Sequence, residues 1–409
     1  MAQQALAVIG AGYGDEGKGR TVDSLALALG PGTVVVRTNG GAQAGHTVVT
    51  PGGRRHVFHH LGSGGLAGAA THLSRFMVSH PMMLAEEVDA VARMGGVVTI
   101  TADPRGLVTT PWDMMVNQAS EAARGEARHG SCGLGFGETV GRSDSSEFAL
   151  TIADLFSADL RDRLIHIRDQ WLPSRLATLK LGASGVEFLA FVASEALLSR
   201  YLADCHEFQR RVRLCEDAEL GQARALVFEA AQGLLLDQGR EEFPFVTRSN
   251  TGLANMLELA EEIGVLHIDA YYVTRCYLTR HGRGPMPGEC NLAPWFAIED
   301  PTNLPNPWQE TLRTGYLDPD YLASAIETDL GRSSASSIVV EPHLSISCLD
   351  QARDGQVAYL HGGAIVRSEA RRFAQMLREH VGAMTVAESW GGCSRGLITR
   401  PVGPKVVAL

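Results

Sequence analysis

The sequence has no run of about 18 apolar residues, so nothing in it is suited to cross a bilayer as a helix. It also lacks an excess of positive charge: 36 Lys and Arg stand against 46 Asp and Glu, for a net charge of −10. That balance excludes a general affinity for nucleic acid or an anionic membrane, which need a basic face. A nucleotide still fits, because it needs only a local cluster of donors. None of the seven cysteines (Cys132, Cys205, Cys215, Cys276, Cys290, Cys348, Cys393) shows C-x-x-C spacing, and the count is odd. Scattered reduced thiols in a reducing cytoplasm are therefore expected. The opening residues Met1 to Ala5 have neither the basic nor the apolar segment of a signal peptide. Internal repeats and low-complexity tracts are absent. His56, His59 and His60 lie close together without a matching ligand set nearby, so structural or surface roles are expected for them.

What is present is an ordinary globular composition, 45% hydrophobic and 20% charged, over 409 residues. Such a length suits either several lobes or one large α/β sheet with insertions, and one domain over 1–409 is expected. Ala5 to Ile9 is an apolar run ending in glycines, Thr21 to Leu29 has helical spacing, and Thr33 to Val36 is β-branched. This βαβ pattern predicts a parallel sheet with ligands at the carboxyl ends of its strands. Further strands are predicted at Val97–Ile100, Ala225–Phe228, Tyr271–Cys276, Ser337–Val340 and Leu344–Cys348, and helices at Met114–Ala123 and Glu369–His380. Residues 129–145 read as a polar glycine-rich loop, 153–222 as a helical insertion and 285–307 as a proline-rich surface loop. The fold class is thus α/β: a central, mainly parallel twisted sheet with flanking helices, resembling phosphate-loop NTPases, plus a helical insertion.

Chemistry is concentrated in Gly12-Tyr13-Gly14-Asp15-Glu16-Gly17-Lys18-Gly19. Gly12, Gly17 and Lys18 fit the phosphate-loop spacing G-x-x-x-x-G-K, in which backbone N–H groups and a helix N-terminus cradle phosphate oxygens. Gly19 stands where a magnesium-binding hydroxyl is usual. Gly12, Gly14 and Gly17 also satisfy G-x-G-x-x-G, but no acidic residue follows the Thr33–Val36 strand to hold a ribose, which weighs against a dinucleotide site. Asp15 and Lys18 together, a carboxylate and an ammonium on a loop of donors, suit a magnesium nucleotide. A second glycine loop, Asn39-Gly40-Gly41-Ala42-Gln43-Ala44-Gly45-His46-Thr47, follows the second predicted strand.

GDEGKG followed by GGAQAGHT resembles the paired signature of the adenylosuccinate synthetase family, which joins IMP to aspartate using GTP. Ala231-Gln232-Gly233-Leu234-Leu235-Leu236-Asp237 is similar to the family's AQGTLLD. Residues 243–251 (FPFVTRSNT) resemble YPFVTSSNT, residues 279–287 (TRHGRGPMP) resemble TRVGxGPFP, and residues 130–137 (GSCGLGFG) resemble GTTGRGIG. The resemblance implies two steps: phosphorylation of the purine O6 by the triphosphate, then displacement of that phosphate by the amine of aspartate. It implies Asp15 as the base at N1 and, with the Gly45 carbonyl, as a magnesium ligand. Lys18 would neutralise the transferring phosphoryl group, His46 would stabilise charge between the β- and γ-phosphates, and Gln232 would hold the purine O6 edge. Gly14, Glu16, Gly17 and Gly19 complete the phosphate loop. Gln43, Thr247 and the backbone near Cys132 would bind the nucleoside monophosphate. Arg142 would reach the same phosphate across a homodimer interface.

Three departures shape these expectations. Where the family has TTGRRRR, residues 308–318 (WQETLRTGYLD) keep Arg313 as the arginine for an amino-acid carboxylate. Where it has T-K-L-D, residues 347–350 read Ser-Cys-Leu-Asp, so Asp350 remains to read the donor base while GTP and ATP both stay open. The G-N-G-x-x-x-D-P segment is reduced to Arg75-Phe76-Met77-Val78-Ser79-His80-Pro81. Such divergence is similar to archaeal and phage branches, including phage enzymes that act on dGMP, in which a small residue tends to replace the loop aspartate. Retention of Asp15 favours a hypoxanthine-type base. A dGMP acceptor, a specialised purine-like acceptor, another amino acid, and a catalytically silent nucleotide-binding homologue are the alternatives.

Overall fold

The computed structural model describes residues 4–181, 191–300, 302–303 and 311–393, together with the backbone of 397–400. The first third of the chain holds β1 (Gln4–Gly10), β2 (Thr33–Arg37), β3 (His46–Val49), β4 (Arg55–Phe58), β5 (Ala70–Leu73) and β6 (Ile100–Ala102). The middle holds β7 (Val212–Leu214), β8 (Ala225–Glu229), β9 (His267–Arg275), β10 (Leu278–Arg280) and β11 (Arg313–Gly315). The remainder holds β12 (Val339–Ser347), β13 (Gln356–His361), β14 (Ala364–Glu369), β15 (Val386–Ser389) and β16 (Leu397–Arg400).

Ten strands form one sheet in the order β16-β15-β12-β9-β1-β8-β2-β5-β6-β7. All neighbours run parallel except the antiparallel edge pair β15–β16. The mainly parallel α/β sheet read from the sequence is therefore present. β8 is buried throughout and β1 at every residue but the first, as expected for strands covered on both faces. Helix α1 (Lys18–Leu29) covers one face, packing Val22 and Ala26 against Val8, Val35, Val227 and Val273.

Several local expectations are corrected. The segment 129–145 is not all loop: helix Phe136–Ser143 begins there behind Gly135, whose φ of 77° suits glycine. The two late strands are one, β12, running straight through Pro342. Proline is tolerated because the partner β15 starts pairing only at Leu344, so no sheet acceptor awaits the missing N–H. The strand predicted at Val97–Ile100 forms instead at Ile100–Ala102. Strands β5, β7 and β15, each of three or four residues, are too short to show a period.

Within 153–222, helices Leu160–His166, Leu172–Thr178 and Glu195–Arg211 share a core with helices Pro81–Arg93 and Pro111–Arg124, and the segment also supplies edge strand β7. Residues 285–300 are largely irregular, yet Leu292 and Phe296 are buried in the main core, so this stretch is more than a surface loop. Residues 301 and 304–307 lie outside the described residues.

Candidate nucleotide site

The chain leaves β1 toward β2 on one side, and β9, β12 and β15 fill the other, so the direction of winding reverses beside β1. Ligands bind at such a switch point, beyond the carboxyl ends of the strands. The glycine loop follows β1, Asn39–Gly45 follows β2, Gln232 follows β8, His281 follows β9 and β10, and Asp350 follows β12. Sequence-distant motifs thereby converge. A cavity of about 220 Å³ opens there, lined by residues 14–20, the Gly45–Thr47 segment, Arg275, Asp300, Cys348, Asp350 and Gly391 among others.

The loop differs from a simple phosphate cradle. Glu16 turns inward and is buried, and its carboxylate accepts the N–H groups of Gly12 at 2.6 Å and Gly14 at 3.2 Å. Two donors that the sequence assigns to phosphate are thus held by the protein itself. Glu16 is a clamp inside the loop, and the Ser347 hydroxyl fastens its carbonyl at 2.8 Å. Burial raises the Glu16 carboxyl to about 7, against the Lys18 charge and the two N–H donors. Gly17, at φ 98°, ends the loop and starts α1, whose first-turn N–H groups have no acceptor within the helix and remain for an anion. A Cβ at Gly19 would lie 3.0 Å from both His46 and the Thr47 carbonyl. The usual hydroxyl residue has no room there, because strand β3 crosses over it.

Asp15 is 29% exposed and pairs with His281 Nε2 at 2.9 Å. Arg275 donates to the Asp15 carbonyl and pairs with Asp300 at 2.7 Å. Burial pushes the Asp15 carboxyl up, but the His281 hydrogen bond and the charges of His281, Arg275 and Lys18 outweigh it and hold the group below its ordinary value. Lys18 is buried and donates to the carbonyls of Gly14 and Gln232. Burial lowers its ammonium from the ordinary value against the pull of Glu16, Asp15 and Glu229.

His46 Nδ1 lies 2.6 Å from Glu229, a carboxylate at the end of β8 that also takes the Ser63 N–H at 3.0 Å. Burial lowers His46 to about 4, more than Glu229 restores. Gly45 is exposed at the lip. The His59 ring tethers this second loop by the carbonyls of Ala42 and Ala44, while His60 and His56 face Glu87, so the histidines are structural.

Gln232 sits in a left-handed conformation (φ 58°) that directs its own carbonyl to Lys18. Its side-chain Oε1 and Gln43 Nε2 are buried without hydrogen-bond partners, and both lie within 4 Å of the place a Cβ on Gly40 would occupy. Two unsatisfied amides on one spot point to a missing polar ligand. Cys132 lies in a glycine turn whose Gly130 N–H is held by Glu121 at 2.8 Å, and burial pushes its thiol up to about 11. Thr247 is half-buried with its N–H on the Leu236 carbonyl. Asp350 is exposed on the cavity wall.

Two expected residues are placed otherwise. Arg142 does not reach outward: it is 1% exposed and grips Asp113 with Nε and Nη2 at 3.0 Å each, with the carbonyls of Val108 and Phe148 taking further donors. Arg313 is paired with Glu289 and donates to the carbonyls of Gly282 and Gly284. Sequence reading missed Glu229, His281, Arg275 and Ser347. Glu229 had a visible signal, an acid closing an apolar strand, and His281 had one as a histidine at the valine of the TRVGxGPFP pattern. Arg275 and Ser347 had none.

Fold and site together define a parallel α/β protein with a glycine loop and a helix N-terminus at the switch point, an arrangement suited to an anion. Residues 7–329 match the family model for adenylosuccinate synthetase, and the chain belongs to that family. It is 34% identical over 292 residues to an adenylosuccinate synthetase of Anaeromyxobacter dehalogenans, covering 69% of this chain and 65% of the relative, so the match spans just under two thirds of that relative's length. A Burkholderia mallei adenylosuccinate synthetase is 32% identical over 346 residues, covering 79% and 72%. In overall fold the chain matches the fully ligated adenylosuccinate synthetase of Plasmodium falciparum, with a TM-score of 0.71 at 17% identity over 97% of this chain and 99% of that one. It also matches the succinoaminodeoxyadenylate synthetase of cyanophage S-2L, bound to dGMP and to dATP as energy donor, with a TM-score of 0.63 at 16% identity over 98% and 97%.

Proposed function

We propose that this chain is a purine nucleotide ligase. The acceptor is a 6-oxopurine nucleoside monophosphate, read as IMP, and a nucleoside triphosphate supplies the phosphoryl group. N1 loses its proton as O6 attacks the γ-phosphorus and the nucleoside diphosphate leaves. The amine nitrogen of aspartate then bonds to C6, inorganic phosphate departs with O6, and the nitrogen loses a proton. The observation that supports this best is the meeting of Asp15 and Lys18 with the two unsatisfied amides of Gln43 and Gln232.

In this reading Asp15, held by His281, takes the N1 proton, and Lys18 stabilises the charge spread over the transferring group. His46, fixed by Glu229, faces the β/γ-phosphate region. Gln232 and Gln43 orient the purine, and Thr247 and the Cys132 turn hold its phosphate. Magnesium would be held by Asp15 and the Gly45 carbonyl. Both are accessible at the cavity, and one carboxylate with one carbonyl suits an ion that takes its other ligands from phosphates and water. When bound, it would neutralise oxygens of the β- and γ-phosphates. Placement in the cytoplasm as a homodimer belongs to the same proposal, and light scattering of the purified chain tests the dimer.

One observation favours a second reading of the amine. Arg313 is already neutralised by Glu289, so a cosubstrate other than aspartate fits the same chemistry. The test is phosphate release and product mass with GTP, magnesium, IMP or dGMP, and a panel of amino acids. Release that needs neither purine nor amine would overturn the ligase, and binding without turnover across the whole panel would establish a silent homologue.

A further inference from the structure

Away from the cavity, four side chains able to ligate a metal meet near the starts of β9 and β12. Ile268, Ala270 and Tyr272 of β9 are buried in the main core, so His267, Asp269 and Tyr271 turn to the opposite face of the sheet. The parallel register sets Val339 beside His267, Glu341 beside Asp269 and His343 beside Tyr271, which adds Glu341 and His343 to that face. One ligand atom from each of His267, Asp269 and Glu341 lies within 4.8 Å of the others. His267 Nε2 is 3.1 Å from Asp269 Oδ1, and His343 Nε2 is 3.4 Å from the same oxygen. Two atoms bound to one tetrahedral zinc ion stand about 3.3 Å apart, given metal bonds of about 2.0 Å. Both pairs already have that spacing.

Two further observations set the group apart from a chance surface cluster. Asp269 and Glu341 are direct cross-strand neighbours, and like charges so placed repel. No arginine or lysine is ion-paired with either among the described residues, so the two carboxylates hold the charge that a divalent cation balances. His343 is 11% exposed and stacked on Tyr271 at 4.9 Å, and its Nδ1 lies 2.9 Å from the Thr385 hydroxyl. A partner on Nδ1 leaves Nε2 as the ligand atom, the outer arrangement usual for a metal-bound histidine. His267, 46% exposed, opens the group to solvent for entry.

We propose that His267, Asp269, Glu341 and His343 bind one zinc-class divalent cation, which joins β9 to β12 toward their amino ends. Imidazole and carboxylate together suit zinc, whereas magnesium prefers oxygen alone. The site is separate from the nucleotide cavity: Asp269 and Arg275 are six residues apart on β9, about 20 Å of strand. Since β9 and β12 end in Arg275 and Ser347 at the cavity, the ion braces the two strands beneath it.

Titration of the metal-free full chain with zinc, in excess magnesium, should show one site per chain in the micromolar range or tighter. Cobalt(II) in its place should give the intense visible bands of a four-coordinate ion, without the sulfur charge-transfer band of cysteine ligands. Thr385→Val should weaken zinc about 10-fold, and His267→Ala and Glu341→Gln by about 100-fold or more. Zinc should raise the melting temperature of wild type and not that of His267→Ala. Asp15→Asn, which alters the cavity, should leave zinc affinity and the cobalt spectrum as in wild type. Loss of the cobalt bands in His267→Ala with an unchanged circular dichroism spectrum separates ligand loss from misfolding. Zinc binding that survives both His267→Ala and Glu341→Gln, zinc binding abolished by Asp15→Asn, or no zinc binding to wild type overturns the proposal.

Discussion

Arg142 and Arg20 are both almost wholly withdrawn from solvent, at 1% and 5% exposure, in regions built to opposite ends. Around Arg142, in the helical half of the molecule, Asp113 and two carbonyls satisfy the guanidinium. Around Arg20, on the cavity wall, one carbonyl takes a donor and two nitrogens have no partner among the described residues. The same residue type at the same depth is a closed brace in one region and an incompletely paired donor on a cavity wall in the other. What separates them is whether the protein's own acceptors complete the charge, because a buried charge is stable only when something does. Arg313, closed off by Glu289, falls with Arg142 on the braced side.

The cavity side breaks most sharply at its reacting groups. Lys18→Ala and Asp15→Asn should each lower turnover by about 10³-fold or more while the protein stays folded, read as phosphate release alongside circular dichroism. Arg142→Met should act on the other side, costing about 3–5 kcal/mol in urea unfolding by leaving Asp113 buried and alone. Affinity for the monophosphate per folded molecule should hold, whereas a role across a dimer interface would raise KM instead.

Glu87 extends the braced class to an anion: it is buried and accepts the N–H groups of His59, His60 and Leu61. Burial works to raise its carboxyl, but the neighbouring His56 and His60 rings, 3.9 and 3.4 Å away, and the His60 N–H hold it well below the ordinary range. A depressed folded value means the stabilisation is full above the unfolded value near 4.5 and fades as pH falls toward the folded one. Glu87→Gln should cost about 2–3 kcal/mol at pH 7, and the mutant should lose less further stability than wild type on acidification, in melts from pH 7 to 4. The smallest effect is expected at Arg313→Ala: about threefold or less in KM for the amino acid, since its charge is already matched. A large rise would show that the Glu289 pair opens to admit a carboxylate.

Much of the sheet was legible because its strands declare themselves. Ala5 to Ile9 and Ala225 to Phe228 are unbroken apolar runs, and both became buried parallel strands. Short edge strands such as Val212–Leu214 owe their form to a neighbour's hydrogen bonds, which no local period records. The glycine loop was legible for the same local reason as the strands, since its residues are contiguous. Glu16 misled because its direction, inward to Gly12 and Gly14, is set by packing around the loop. Arg142 misled because Asp113, its partner, lies on another helix.

Sequence alone determined the strand-loop-helix unit around Gly12 to Gly19, the parallel α/β class and the set of motifs that mark the family, since each depends on neighbouring residues or on ordered local patterns. Only the tertiary structure decided which charges are closed and which are open. Gly19 has no side chain because β3 passes 3.0 Å from where one would start. His46 is tied to Glu229, and His281 to Asp15, across 183 residues in the first case and between separate strand ends in the second. Arg20 keeps Nε and Nη2 without an acceptor among the described residues. Partnership between charges is a matter of distance in space, and folding sets that distance.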